Sequence, residues 1–351
     1  MAGAVYLVVP GALATRTGGF IYDRRIAAGL RARGRRVEVV ELAGRYPFPN
    51  ATEMQGAASA LAAIPSGATV VVDGLAYGAM PESAERERGR LALIALVHHP
   101  LAEEEGLSDA QRAELRQSEM RALAAARRVI ATSAFIARAL GSYGVPTAMI
   151  SVVTPGTDSA PLAGGSGARE RSLLCPASFI PRKGHADLLH ALSGIADLPW
   201  RLICAGNTGI SPATAAAVRD LRERLGLTER IELRGEVDES ELAQLYAGAG
   251  LVVLPSHYEG FGMVVTEAIA RGLPVITTTG GALAETLPAG AGLASVPGDV
   301  PGLRENLLRA LCEPGLLTAL AAGARAARAN LPSWDEAAGA FDAALRASVA
   351  R

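Results

Sequence analysis

The chain has little that would suit disulfides, zinc motifs, membrane insertion or nucleic-acid binding. It has three cysteines in 351 residues, an odd number without paired spacing, so neither a disulfide framework nor a zinc motif is predicted. Its 34 Lys and Arg nearly balance 35 Asp and Glu, which gives no reason to expect a nucleic-acid partner. No run of about 18 apolar residues occurs, so no membrane span is predicted.

The cysteines and the first residues favour a cytoplasmic protein. Cys175 and Cys204 lie in apolar, strand-like segments and are predicted to be buried, unreactive thiols. The segment from Met1 to Pro10 lacks the charged leader and cleavage pattern of a secretory signal, and it is predicted to be a first strand. A reducing cytoplasm fits both features.

Two frequent nucleotide-binding signatures are also missing. Gly-x-Gly-x-x-Gly occurs nowhere, which disfavours a dinucleotide-dependent oxidoreductase. Asp-x-Asp occurs nowhere either, so a metal-chelated diphosphate has no obvious pair of ligands. We therefore expect neither a bound metal nor a cofactor.

Length and alternation predict two α/β domains. A chain of 351 residues is too long for one ordinary core. Strand-like and helical segments alternate, which predicts doubly wound parallel sheets covered by helices on both faces. The turn-rich segment from Ala160 to Gly167 is predicted to be a linker. The predicted domains are therefore residues 1–160 and 161–330, followed by a C-terminal helix in residues 331–351.

Glu259 and Glu267 flank a Gly-rich turn between a predicted strand, 251–254, and a predicted helix, 263–271. Glycines in this turn allow the backbone to approach a ligand, and the helix start directs free amides at an anion. Because a carboxylate beside a phosphate would repel it, the two glutamates are predicted to bind hydroxyl groups. The alternative is an ordinary pair of solvated carboxylates.

A second candidate is the basic segment Pro181-Arg182-Lys183-Gly184, which follows a predicted strand and opens a helix. Two adjacent cations at a helix start would neutralise a diphosphate as its charge develops. The alternative is an exposed charge pair without a ligand.

Together these features resemble the donor site of the retaining glycosyltransferases of family 4. That family has the GT-B fold, in which two Rossmann-like domains face each other across a cleft. The resemblance implies that Glu267 binds the ribose hydroxyls. It also implies that Glu259 lies against the donor sugar together with Gly260, Phe261 and Gly262.

The resemblance extends to other loops that follow predicted strands. The residues it implies are Gly18 and Gly19 in an acceptor-side loop, His98 near the donor sugar, Arg182 and Lys183 at the diphosphate, and Gly280 and Gly281 beside the sugar. His98 is a better match than His99 because it directly follows a buried strand, and a structural histidine is the alternative. Surface or packing roles are expected for His185, His190 and His257.

One position departs from the family pattern. Members usually carry Gly-Arg just after the strand that precedes the lysine, whereas this chain has Ala177-Ser178 and one residue fewer before Pro181. An expected phosphate-binding arginine is therefore missing. Arg182 is the nearest cation that could supply its charge.

The resemblance implies a hexosyltransferase that uses a UDP- or GDP-linked hexose, acts with retention and needs no metal. No sequence motif identifies the acceptor. A nucleotide-sugar epimerase of the same fold and a non-catalytic nucleotide-sugar-binding subunit are the alternatives. By analogy with GT-B proteins, the last helix is expected to pack on the first domain.

An arginine-rich helix, predicted over residues 109–127, raises the question of peripheral membrane contact. Its basic side chains could meet anionic lipid. Glu114 and Glu119 interrupt the basic face, so a solvated face is favoured.

Overall fold

The computed structural model describes residues 4–164 and 171–349, which form two compact units. Unit 1 combines Met1–Gly156 with Pro332–Arg351, and unit 2 is Thr157–Leu331. In the predicted linker, Ala160 to Gly164 have no regular secondary structure, and Gly165 to Gly167 lie outside the described residues.

Unit 1 contains a six-stranded sheet in which every pair of neighbouring strands is parallel. Its strands are β1 (Val5–Pro10), β2 (Val37–Leu42), β3 (Thr69–Asp73), β4 (Ala92–Val97), β5 (Arg128–Ala131) and β6 (Ile150–Val152). Its first six helices are α1 (Gly18–Ala32), α2 (Ala51–Ala63), α3 (Gly74–Tyr77), α4 (Pro81–Glu87), α5 (Asp109–Ala124) and α6 (Ala134–Ala139). The strand order is β2-β1-β3-β4-β5-β6, and β4 is buried along its whole length, as expected for a covered parallel strand.

Unit 2 contains a second six-stranded parallel sheet. Its strands are β7 (Arg171–Pro176), β8 (Trp200–Ala205), β9 (Ile231–Gly235), β10 (Leu251–Leu254), β11 (Val275–Thr278) and β12 (Gly292–Ser295). Its helices are α7 (His185–Ser193), α8 (Pro212–Arg224), α9 (Glu239–Gly248), α10 (Met263–Ala270), α11 (Leu283–Thr286), α12 (Val300–Cys312) and α13 (Leu316–Ala327). Single 3-10 turns occur at Leu101–Glu103, Leu140–Tyr143, Thr147–Met149, Pro181–Lys183 and Arg328–Asn330.

The strand order of each sheet creates a topological switch point. In unit 2 the order is β12-β11-β10-β7-β8-β9. Strands β8 and β9 therefore follow β7 on one side of it, and β10, β11 and β12 are added on the other side. In unit 1 the corresponding reversal lies between β1 and β3. Ligands of doubly wound sheets bind outside the carboxyl ends of the strands at such points.

The last helix, α14 (Trp334–Val349), belongs to unit 1 and packs on α1. Phe341 and Leu345 are buried in the same apolar cluster as β1. Gly29 allows this close packing, because a Cβ atom at that position would lie 2.4 Å from Cβ of Ala338. Arg35 Nε also lies 2.6 Å from Asp342 Oδ1, which ties α14 to the segment after α1.

Local contacts define both ends of α5. Ser108 and Gln111 form a capping box at its start. This helix ends at Ala124, earlier than predicted, because the Arg127 amide donates to the Leu93 carbonyl at 2.8 Å and starts the next strand. Helix α1 begins at Gly18, within the segment that was predicted to be an acceptor-side loop.

The arginine-rich helix α5 makes more hydrogen bonds and ion pairs with the rest of unit 1 than predicted. Glu119 is buried, its Oε2 accepts the Leu101 amide at 2.9 Å, and burial raises the pKa of its carboxyl to about 8. Arg116 donates to the Ser142 carbonyl at 2.7 Å, and Arg121 pairs with two glutamates of α4. The prediction of a solvated face is therefore wrong at Glu119, because its carboxyl is buried and accepts a backbone amide.

The helices of the chain are short or polar by the standard of a membrane span. Among residues 4–164 and 171–349, no single helix is long and apolar enough to cross a bilayer. Within the same residues, one pair of helical stretches, α12 and Leu316–Asn330, has the length and composition of a span, but the pair is bent by 97°.

Candidate functional site

Two cations and one carboxylate meet at the switch point of unit 2. Arg182 and Lys183 follow β7, and Glu259 follows the neighbouring strand β10. Lys183 Nζ lies 2.5 Å from Glu259 Oε1, and Arg182 Nη1 lies 3.5 Å from Glu259 Oε2. The three side chains are only 10 to 16% exposed. Two positive charges and one negative charge leave this cation cluster (Arg182, Lys183 and Glu259) with a net charge of +1.

Neighbouring groups hold the cation cluster in place. Ser256 Oγ donates to Glu259 Oε1 at 2.7 Å, and Arg182 Nη1 donates to the Tyr258 carbonyl at 2.8 Å. Burial raises the pKa of the Glu259 carboxyl, but the charges of Lys183 and Arg182 outweigh burial and lower the pKa overall. The carboxylate therefore stays ionised at neutral pH.

His257 extends this arrangement to α7. Its amide donates to the Arg182 carbonyl at 2.8 Å, and its Nε2 lies 2.5 Å from Asp187 Oδ2. Sequence analysis found no partner for His257, because Asp187 lies 70 residues earlier in the chain. The contact ties the loop after β10 to the first turn of α7.

Glu267 lies on α10 with its carboxylate fixed by a buried tyrosine. The Tyr246 hydroxyl donates to Glu267 Oε2 at 2.8 Å, and the guanidinium of Arg271 lies 4.3 Å from the centroid of the Tyr246 ring. Burial, followed by the charge of Glu267, holds the pKa of Tyr246 well above its ordinary value, so the hydroxyl keeps its proton and remains a donor. Tyr246 lies on α9, and no local sequence pattern connects it with Glu267.

The remaining predicted donor-site residues of unit 2 lie in the loops after β10 and β11. This set comprises Gly260, Phe261, Gly262, Gly280 and Gly281. Gly281 has a φ of +63°, and a Cβ atom there would lie 2.2 Å from the Glu259 carbonyl oxygen. The same carbonyl accepts the Ala282 amide at 2.8 Å. The β11 loop therefore supports the backbone of Glu259 directly.

In unit 1, His98 lies between two aspartates at the carboxyl ends of the strands. His98 Nε2 lies 3.2 Å from Asp23 Oδ1 on α1 and 3.3 Å from Asp73 Oδ2 at the end of β3. Burial lowers the pKa of His98, but hydrogen bonds to both carboxylates outweigh burial and raise the pKa to about 10. Burial raises the pKa of Asp23 to about 6. Neither aspartate is indicated by a sequence pattern.

The three side chains of this acid–histidine cluster (Asp23, Asp73 and His98) offer ligand atoms within 4.8 Å of one another. That spacing alone would suit a divalent cation. With its pKa near 10, however, His98 is an imidazolium at neutral pH and has no free lone pair for a metal. The positive charge of the imidazolium already balances part of the carboxylate charge.

Gly18 and Gly19 are the first residues of α1, where Thr17 accepts the Phe20 amide at 3.5 Å and caps the helix. A Cβ atom at Gly19 would lie 3.4 Å from His98 Cδ2. The structure therefore brings Gly19 and His98 together at the free amides of a helix start. His99 lies outside this group, with its Nε2 3.3 Å from Glu104 Oε2.

Residues 163–327, nearly all of unit 2, match the family described as glycosyl transferases group 1. A D-inositol 3-phosphate glycosyltransferase from Streptomyces bingchenggensis is 34% identical over 217 residues, which cover 56% of this chain and 48% of that protein. The chain thus spans about half the length of the curated relatives it matches.

Solved structures resemble the chain over almost its full length. Sucrose-phosphate synthase from Thermosynechococcus elongatus has a TM-score of 0.83 at 22% identity and covers 98% of this chain and 99% of its own. HepE from Anabaena, crystallised with UDP and glucose, has a TM-score of 0.76 at 18% identity and covers 98% of this chain and 100% of its own. These likenesses confirm the predicted α/β GT-B fold. Over residues 163–327 the chain matches the glycosyl transferases group 1 family, in agreement with the sequence resemblance.

Proposed function

We propose that this chain transfers a hexosyl group from a nucleoside-diphosphate hexose to an acceptor hydroxyl, with retention and without a metal on the diphosphate. The observation that carries this proposal is the cation cluster at the switch point of unit 2. A net positive, largely buried group at the carboxyl ends of parallel strands suits a diphosphate.

Arg182 and Lys183 would hold the diphosphate and neutralise the charge that develops as it leaves. In the absence of donor, Glu259 balances part of this charge through the contacts at 2.5 and 3.5 Å. Phosphate oxygens can then compete with the carboxylate for the same N–H donors. Losing one such contact typically slows turnover by about 100- to 1000-fold.

Glu267 would accept hydrogen bonds from the ribose hydroxyls. An ionised carboxylate has acceptor sites for two neighbouring hydroxyl donors, whereas it would repel a phosphate. The hydrogen bond from Tyr246 fixes Oε2 before the nucleotide arrives, so less side-chain entropy is lost on binding.

For the chemical step, the acceptor hydroxyl would attack the anomeric carbon from the face that the diphosphate leaves. The new C–O bond forms as the bond from the anomeric carbon to the diphosphate breaks, and a diphosphate oxygen takes the hydroxyl proton. For His98 we retain the role implied by the family resemblance, a contact to the donor sugar. As an imidazolium it would be a hydrogen-bond donor.

The names of similar proteins guide the choice of substrates. HepE was crystallised with UDP-glucose, and a similar Mycolicibacterium hassiacum protein is described as an MMP alpha-(1->4)-mannosyltransferase. We propose a UDP- or GDP-linked hexose as donor. D-inositol 3-phosphate, taken from the names of several relatives, is the first acceptor to test.

Titration calorimetry with UDP and GDP tests nucleotide binding by the purified chain. We expect Glu267→Ala to weaken binding of the preferred nucleotide. Glu305→Ala, which removes an exposed carboxylate from α12, should leave binding unchanged. Equal affinity in the wild type and both variants would contradict the ribose role of Glu267.

Turnover of UDP-glucose and GDP-mannose, with and without D-inositol 3-phosphate, tests the activity itself. NMR of the product should show the anomeric configuration of the donor retained. Interconversion of the donor sugar without acceptor would support an epimerase, and binding without turnover of any donor would support a non-catalytic subunit. Loss of activity with a chelator, restored only by Mg²⁺ or Mn²⁺, would contradict metal independence at the diphosphate.

A further inference from the structure

Two cysteines and one histidine come together inside unit 2, apart from the cation cluster. Cys175 on β7 and Cys204 on β8 are register partners on neighbouring parallel strands. His185, the first residue of α7, lies beside them. The two Sγ atoms and a ring nitrogen of His185 are all within 4.8 Å of one another. Sequence spacing predicted no such group, because 29 residues separate the two cysteines along the chain.

This thiol–imidazole group (Cys175, His185 and Cys204) is enclosed by the protein. Both cysteines have no exposed surface, and His185 is 2% exposed. The imidazole is stacked on Phe179, with ring centroids 4.5 Å apart and planes 12° apart. This stacking fixes the plane of the ring and keeps its nitrogens near the two sulfur atoms.

The imidazole lacks the hydrogen bonds that a buried histidine normally makes. It is close enough to Cys175 to act on the thiol electrostatically. Neither ring nitrogen, however, has a partner at hydrogen-bond geometry among the residues that the structure describes. A buried polar group without a partner is costly, and most such groups bind water, an ion or another side chain.

We propose that Cys175, Cys204 and His185 bind one zinc ion inside unit 2, with a water molecule as the fourth ligand. Two thiolates and a neutral imidazole would balance the ion, so the complex carries no net charge into the apolar core. Binding releases the two thiol protons. Zinc bonds of about 2.3 Å to sulfur and about 2.0 Å to nitrogen put tetrahedral ligand atoms roughly 3.5 to 3.8 Å apart. Small side-chain rotations from the present arrangement would meet that spacing.

This zinc would have a structural role and is distinct from any metal on the diphosphate. It would connect β7, β8 and the start of α7, and Arg182 and Lys183 lie in the turn between β7 and α7. The proposal does not depend on the glycosyltransferase activity, because it rests only on groups inside unit 2. Its test therefore uses metal content and spectroscopy, not turnover.

The first experiment measures zinc by mass spectrometry in the full chain, purified from a zinc-supplemented culture without a polyhistidine tag. We expect one zinc per chain in the wild type and background zinc in Cys175→Ser and Cys204→Ser. Cys312→Ser is the matched control, because it removes an exposed cysteine of α12, and it should keep its zinc. Background zinc in the wild type, or equal zinc in all four proteins, would overturn the proposal.

A second measurement covers the case in which the serine variants fail to fold. X-ray absorption at the zinc edge of the wild type should show two sulfur neighbours and at least one nitrogen neighbour. A first shell of only nitrogen and oxygen would overturn the proposal. So would a Cys175–Cys204 disulfide, detected by mass after alkylation without reduction, because oxidised sulfurs cannot serve as thiolate ligands.

Discussion

Glu259→Gln is expected to destabilise unit 2 by a measurable amount. Breaking a buried ion pair by removing one partner typically costs about 3 to 5 kcal/mol. The glutamine side chain keeps an oxygen for Ser256, whereas Lys183 and Arg182 lose their shared counter-charge. We therefore expect the lower end of the range, about 3 kcal/mol. At about 2 to 4 °C per kcal/mol, the melting temperature of unit 2 should fall by about 6 to 12 °C.

Adding UDP separates a structural role of the cation cluster from a role in diphosphate binding. A ligand at 100 times its Kd adds about 2.7 kcal/mol to the free energy of unfolding. In Glu259→Gln the two cations are free of their carboxylate, so UDP should stabilise this variant at least as much as the wild type. In Lys183→Met, where Arg182 still pairs with Glu259, UDP should stabilise the protein less.

Scanning calorimetry of these proteins with and without UDP gives both quantities. The double variant Glu259→Gln/Lys183→Met closes a thermodynamic cycle and isolates the coupling between the two side chains. An unchanged melting temperature for Glu259→Gln would refute the buried ion pair. An equal gain from UDP in the wild type and in Lys183→Met would refute the diphosphate role.

Three further outcomes are expected. Tyr246→Phe removes the hydrogen bond that orients Glu267, so calorimetric titration should show weaker UDP binding, by less than Glu267→Ala causes, and equal losses would contradict a positioning role. Because its two aspartates raise the pKa of His98 to about 10, the stabilisation of unit 1 by the imidazolium is present near about pH 6.5 and is lost as the pH rises through 10, whereas below about pH 6 protonation of Asp23 weakens the ion pair. Urea denaturation between about pH 7 and about pH 10 should therefore show a steeper loss of stability in the wild type than in His98→Gln, and parallel curves would contradict the imidazolium. Gly29→Val places a side chain where α14 packs on α1, so thermal unfolding of unit 1 should begin at a lower temperature than in the exposed control Gly56→Val, and equal unfolding would mean that the helices do not need this close contact.

Much of the fold could be predicted because the responsible patterns are local. Apolar runs such as 91–97 identify buried strands, and Ser108 with Gln111 identifies the start of α5. The turn between β10 and α10 depends on consecutive residues, so Glu259 and Glu267 could be singled out from the sequence. The two-domain α/β organisation follows from the same local alternation.

The parts of the site that could not be predicted depend on strand order. His98 meets Asp73 because β3 and β4 are neighbours, and it meets Asp23 because α1 packs at that end of the sheet. Separations of 25 and 75 residues leave no periodic signal in the sequence. Cys175 and Cys204 come together for the same reason, since their pairing needs the register of β7 and β8.

A crystal structure with UDP tests most directly the claim that unit 2 binds the nucleotide at its switch point. We predict that the diphosphate lies within hydrogen-bond distance of Lys183 Nζ and the Arg182 guanidinium, with the ribose hydroxyls on the Glu267 carboxylate. UDP bound elsewhere on unit 2, or bound with its diphosphate out of hydrogen-bond distance of Lys183 and Arg182, would contradict the account.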